Sequence, residues 1–182
     1  MGRYNIHITS EITIKKLQKG TFIFIYRATK IPPHIGIITN GKLYDITSIG
    51  PNIDFSVIDF YNTILKRNTE VLFIELMEIA HHINVTQVIT EKVTEYWKVT
   101  SATSCLNPVK DFINKIYNIE VDKAKFVFEL LPILYEQNLI KNVSQLHLSN
   151  KLTNNIFELT KYTKKDIEKC IEALHRKEKT VC

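Results

Sequence analysis

Cysteine is scarce in this 182-residue chain, and its three copies, Cys105, Cys170 and Cys182, are widely spaced and odd in number. Such spacing supports neither a disulfide framework nor a metal knuckle, and a reducing, cytoplasmic setting is the simpler expectation. The opening residues, Met1-Gly-Arg-Tyr-Asn-Ile-His-Ile8, lack the apolar core of a secretory signal. They also lack the Ser or Thr at position 6 that a myristoylation signal wants. No apolar run is long enough to span a bilayer, so no transmembrane segment is expected. Glycine is scarce as well, with five in the chain, and no phosphate-cradling loop or GxSxG elbow is present. HExxH and CxxC are absent, which leaves no metal-ligand spacing. Neither a cofactor nor a metal is therefore expected. Arginine is sparse beside lysine, against planar, bidentate reading of bases. The formal charge of +5 is mild, and most basic residues are interspersed with acids, so nucleic acid is not the expected partner. Oligomeric state is not legible.

Apolar residues make up 45% of the chain, enough for one domain with a real core and a small appendage. Thr21-Phe-Ile-Phe-Ile-Tyr26 reads as a strand buried on both faces. His34 to Thr39 and Leu43 to Thr47 read as a hairpin turned by Asn40-Gly41. Thr9 to Gln18 suggests a short helix capped by Ser10, and Ile49 to Ile53 a loop. Asp54 is placed to cap a helix through Leu65, and Glu70 to Leu76 forms a strand. Asn84 to Trp97 carries helical spacing. A further helix runs through Val109, Phe112, Ile113, Ile116 and Tyr117. It starts either at Asn107-Pro108 or with Cys105 as cap and Pro108 in the first turn. Asp122 opens another helix, and Thr163-Lys-Lys-Asp166 resembles a capping box. The layout predicts an α+β fold: a small antiparallel sheet or half-barrel packed against helices over residues 1–135, then a helical C-terminal extension over 136–182. The lysines of that extension, Lys161, Lys164, Lys165 and Lys169, read as a solvated helix face, with a partner-binding appendage as the other reading.

Three residues stand out chemically. Cys105 follows the polar stretch Thr103-Ser104 and precedes a helix, whose dipole favours a thiolate and whose free N–H groups can hold an oxyanion. It reads as a nucleophile or as a small buried apolar residue. His34 begins an apolar strand, where a ring must find a hydrogen-bond partner or sit beside a cleft. It reads as a base or as a structural histidine. Asp45, on the partner strand, is either the carboxylate that orients the imidazole or an ordinary strand residue. Thr47 and Asn40 are weaker orienters. His81-His82, with Glu75 and Glu78, form a competing cluster, but adjacent side chains diverge and make a poor metal pair.

Lys19-Gly-Thr-Phe-Ile-Phe-Ile-Tyr-Arg27, Pro33-His-Ile-Gly-Ile-Ile38, Asn40-Gly41, Leu43-Tyr-Asp-Ile46 and Ser104-Cys-Leu-Asn-Pro-Val-Lys-Asp-Phe-Ile113 together resemble the circularly permuted NlpC-type hydrolases. These belong to the papain-like superfamily and include the lecithin retinol acyltransferase-like proteins. The resemblance spans about Gly20 to Tyr117. It implies a cysteine hydrolase with Cys105 as nucleophile, His34 as base and Asp45 as orienting residue, with the Cys105 N–H in the oxyanion hole. The lipid-acting branch carries a second histidine and an Asn-Cys-Glu-His motif. This chain has Asp45 and Ser104-Cys105-Leu106-Asn107 instead, so a peptidase or amidase on a peptide, amide or acyl substrate is the expectation. The alternative is a catalytically inactive module that kept the fold, with a basic C-terminus engaging a partner.

Overall fold

A computed structural model describes residues 2–79 and 83–179, with the backbone alone described at position 171 and over 174–179. His81, His82 and Cys182 lie outside the described residues, as does the end of the basic tail from Thr180.

Nine strands and six α-helices are found among the described residues. The central sheet has seven strands in the order β2-β8-β7-β3-β4-β5-β6. These are β2 (Ser10–Glu11), β3 (Thr21–Tyr26), β4 (His34–Thr39), β5 (Lys42–Ile46), β6 (Pro51–Ser56), β7 (Val71–Leu76) and β8 (Ile140–Leu146). All neighbours run antiparallel except β2 and β8. A separate antiparallel pair joins β1 (Arg3–His7) to β9 (Ile156–Thr160).

Alternation along β3 explains the layers. Phe22 and Phe24 point to one face and Ile23 and Ile25 to the other, as successive strand residues must. The isoleucine face packs against α3 (Val85–Tyr96), α4 (Leu106–Tyr117) and α5 (Val127–Glu136). The phenylalanine face is covered by α1 (Ile14–Leu17) and α2 (Val57–Arg67). Burial on both faces is why β3 reads as an unbroken apolar run. The scarcity of glycine is met by asparagine: Asn40, Asn68, Asn118, Asn138, Asn154 and Asn155 all adopt positive φ. Asn68 and Asn118 end α2 and α4 in the left-handed conformation that glycine usually supplies.

The α+β class holds, but several elements differ from expectation. Ser10 lies in a two-residue strand beside β8, and only Ile14–Leu17 is helical before Lys19-Gly20. Pro51–Ser56 is an edge strand rather than a loop, and Ser56, not Asp54, caps α2 by accepting from the Asp59 N–H. The helix expected from Asp122 begins at Val127, where Glu129 reaches back to the Phe126 N–H. The segment after residue 135 is not simply helical. It supplies β8 to the central sheet and β9 to the small one before α6 (Lys164–Lys179). Strand β8 hides its nature because it buries Ser144 and Gln145. Gln145 is satisfied by the Leu148 N–H and the Ser149 hydroxyl, so its polarity is no obstacle to burial.

Candidate active site

His34 is the first residue of β4, and its position follows from the register of the hairpin. Side chains 34, 36 and 38 share a face of β4, and 43 and 45 share the same face of β5. Gly36 lies between them. A Cβ there would stand 2.6 Å from the Phe24 ring and the Tyr44 carbonyl oxygen, and 2.7 Å from the Asp45 Cβ. Its absence lets Asp45 lean across the strand pair, and His34 Nε2 lies 2.8 Å from Asp45 Oδ2. Asp45 is only 4% exposed, while the histidine ring keeps about a third of its surface open.

The second carboxylate oxygen, Oδ1, accepts a 2.7 Å hydrogen bond from Asn52 Nδ2 on β6. Asn52 sits directly opposite Asp45 in the register. Nothing in the sequence flags it, because Ile49-Gly-Pro-Asn-Ile53 reads as a loop. Of the weaker orienters, Thr47 instead closes the β5–β6 turn, donating to the Gly50 carbonyl oxygen. Asn40 faces Thr86 at 3.5 Å, at the opposite end of the hairpin.

Cys105 caps α4 with helical backbone angles and makes no side-chain capping bond, so its thiol is not consumed by the helix end. Pro108 therefore falls in the first turn, where a missing N–H has no intrahelical acceptor to lose. Asn107 locks the approach: its Oδ1 accepts from the Ser104 N–H and hydroxyl at 2.9 and 2.8 Å. Val109, Phe112, Ile113 and Ile116 hold the helix to the isoleucine face of the sheet. That docking brings the half-buried thiol beside the imidazole. Burial pulls the His34 pKa down, but Asp45 and the neighbouring thiol outweigh it and push the ring up to about 10. With Nε2 turned to Asp45, Nδ1 is the ring nitrogen left for the thiol. The buried Tyr162 hydroxyl feels the same sulfur, and its ring packs edge-on against Phe126 and Phe128, both 5.1 Å away. The chain beyond residue 150 thus lies within electrostatic range of Cys105, which its sequence did not suggest.

Cys105, His34 and Asp45 are brought together. Glu75 and Glu78 are not part of this group, and both pair with Lys141, at 3.2 and 3.4 Å. Among the described residues no group of three His, Cys, Asp or Glu side chains is placed to hold a metal. No helix among them is long and apolar enough to cross a membrane. Comparison with protein-family models, with curated proteins and with solved structures finds no match to this chain.

Proposed function

We propose that the protein is a thiol hydrolase of the circularly permuted, papain-like NlpC type, cleaving an amide or ester through an acyl-enzyme on Cys105. The observation that carries this reading is a half-exposed thiol at a helix N-terminus beside an imidazole whose Nε2 is fixed by a buried carboxylate. Each part has a chemical task. His34 takes the thiol proton, and Asp45 stabilises the imidazolium and sets its orientation. The Cys105 sulfur attacks the carbonyl carbon, and the N–H groups at the open end of α4 face the developing oxyanion. The carbonyl–nitrogen or carbonyl–oxygen bond then breaks, and His34 returns its proton to the leaving amine or alcohol. Water, deprotonated by His34, hydrolyses the thioester, and the proton goes back to the thiol.

Iodoacetamide tests this directly, with each cysteine followed by mass spectrometry. At about pH 5.5 an ordinary thiol, with a pKa of about 8.5, is almost wholly protonated and slow. Cys105 is expected to be alkylated at least tenfold faster than Cys170 and Cys182 at that pH. Equal or slower labelling of Cys105 would leave a non-catalytic module on the same scaffold.

A further inference from the structure

Strand β6 carries an irregularity next to the candidate site. Leu43 faces Phe55 and Asp45 faces Asn52, so Tyr44 alone spans both Ile53 and Asp54. This is a β-bulge, with Asp54 at φ 55° and its carboxylate accepting the Tyr44 hydroxyl. In a regular strand Asn52 and Phe55, three residues apart, face opposite ways. The bulge turns both to the His34 side, the kind of re-aiming that bulges perform beside active sites. Asn52 there braces Asp45, whereas Phe55, opposite Leu43 on the terminal strand, keeps 41% of its surface exposed.

Phe55 instead forms one wall of a cavity of about 200 Å³ that opens beside His34 and Asp45. Tyr26, Leu43 and Phe60 complete the apolar lining. The Phe60 ring is held between Phe24 and Tyr26, with centroids at 5.1 and 5.9 Å, so the wall is fixed in advance. The volume lies below the roughly 300–1,000 Å³ of sites that enclose a whole small molecule, and it suits a single large side chain. Strand β6 is also an edge of the sheet, and no described residue pairs with its outer side. A free edge offers main-chain partners to an extended peptide, which a lipid chain cannot use.

We propose that this cavity is a side-chain subsite for a peptide substrate, receiving a Phe-, Tyr- or Leu-like residue of a segment that pairs with the edge of β6. The inference rests on the thiol-hydrolase reading, since it assigns that enzyme a substrate class. Binding is measured without turnover, on the full chain carrying Cys105→Ser, by NMR titration with acetyl-Ala-Phe-Ala-amide, acetyl-Ala-Gly-Ala-amide and decanamide. The Phe peptide is expected to bind at least tenfold tighter than the Gly peptide, with saturable shifts at Tyr26, Phe55 and Phe60. Phe55→Ala should bring that ratio within threefold of one. Equal affinity for the two peptides, shifts centred elsewhere, or tighter binding of decanamide than of the Phe peptide would overturn the proposal. If peptide selectivity fails while Cys105 is still alkylated rapidly at about pH 5.5, the subsite falls and the hydrolase stands. Slow alkylation removes the enzyme and, with it, this substrate assignment.

Discussion

Both carboxylate oxygens of Asp45 are engaged, one by His34 and one by Asn52, inside a nearly closed setting. Replacing Asp45 by Asn removes the charge that holds the imidazolium, while the burial that disfavours it remains. The His34 pKa, about 10 in the native protein, should then fall, visible in the pH titration of the ring Cε1–H signal by NMR. An unchanged titration would separate Asp45 from the ring's electrostatics. Asn52→Ala keeps that charge but strands a buried oxygen, which costs about 1–3 kcal/mol of stability. Gly36→Ala is the sharper steric test. The new methyl meets backbone and a packed ring, so a loss of about 1–3 kcal/mol by denaturant unfolding is expected, together with slower Cys105 alkylation as Asp45 is displaced. At this scale the sequence was informative where residue type limits the options. A histidine opening an apolar strand, a carboxylate across an Asn-Gly turn and a thiol before a helix each carry few meanings. Asn52 was invisible because its role depends on register across a strand that its own residues do not announce.

Elements were legible where periodicity was undisturbed. The amphipathic spacing of α4 follows from packing on one surface, and the unbroken apolar runs of β3 and β4 from burial on both faces. Strand β6 was lost because Gly50-Pro51 and exposed residues 53–55 resemble a loop, and the bulge breaks its alternation. Strand β8 was lost because the polar Ser144 and Gln145 are buried with partners that only the folded chain supplies. The consequence is testable by truncation. A chain ending at residue 139 loses β8, and with it one of the two antiparallel partners of β7 and the parallel partner of β2. It should not give a cooperative thermal transition by circular dichroism. A chain ending at Thr163 keeps β8, β9 and Tyr162 and should unfold cooperatively. Cooperative unfolding of both would make residues 140–163 a true appendage.

Across the whole molecule, the site joins the two sides of the sheet. The His34 ring lies 6.0 Å from Phe24, on the phenylalanine face, whereas Cys105 packs with the isoleucine face. The raised pKa of His34 links its protonation to global stability, and that pH dependence can be separated from that of other groups. The folded pKa of His34 is raised from 6.5 to about 10. In that interval the folded ring holds a proton that the unfolded ring has released, so stability falls as pH rises. The contribution is fully present below pH 6.5 and gone once pH passes about 10. Tyrosines act in a different window. Burial raises Tyr44, Tyr96, Tyr117 and Tyr162, with Tyr96 reaching about 12 as its hydroxyl donates to Asp111 at 2.7 Å. The unfolded tyrosines ionise near pH 10, so their destabilising effect begins where that of His34 ends. Urea unfolding at pH 6 and pH 9.5 isolates the histidine. The difference in unfolding free energy between the native chain and His34→Gln should be largest at pH 6 and shrink towards pH 9.5. Above pH 10 both proteins should decline together. A difference that stays constant from pH 6 to 9.5 would mean that His34 does not carry the bound proton, and the proposed role of His34 as base would lose its support.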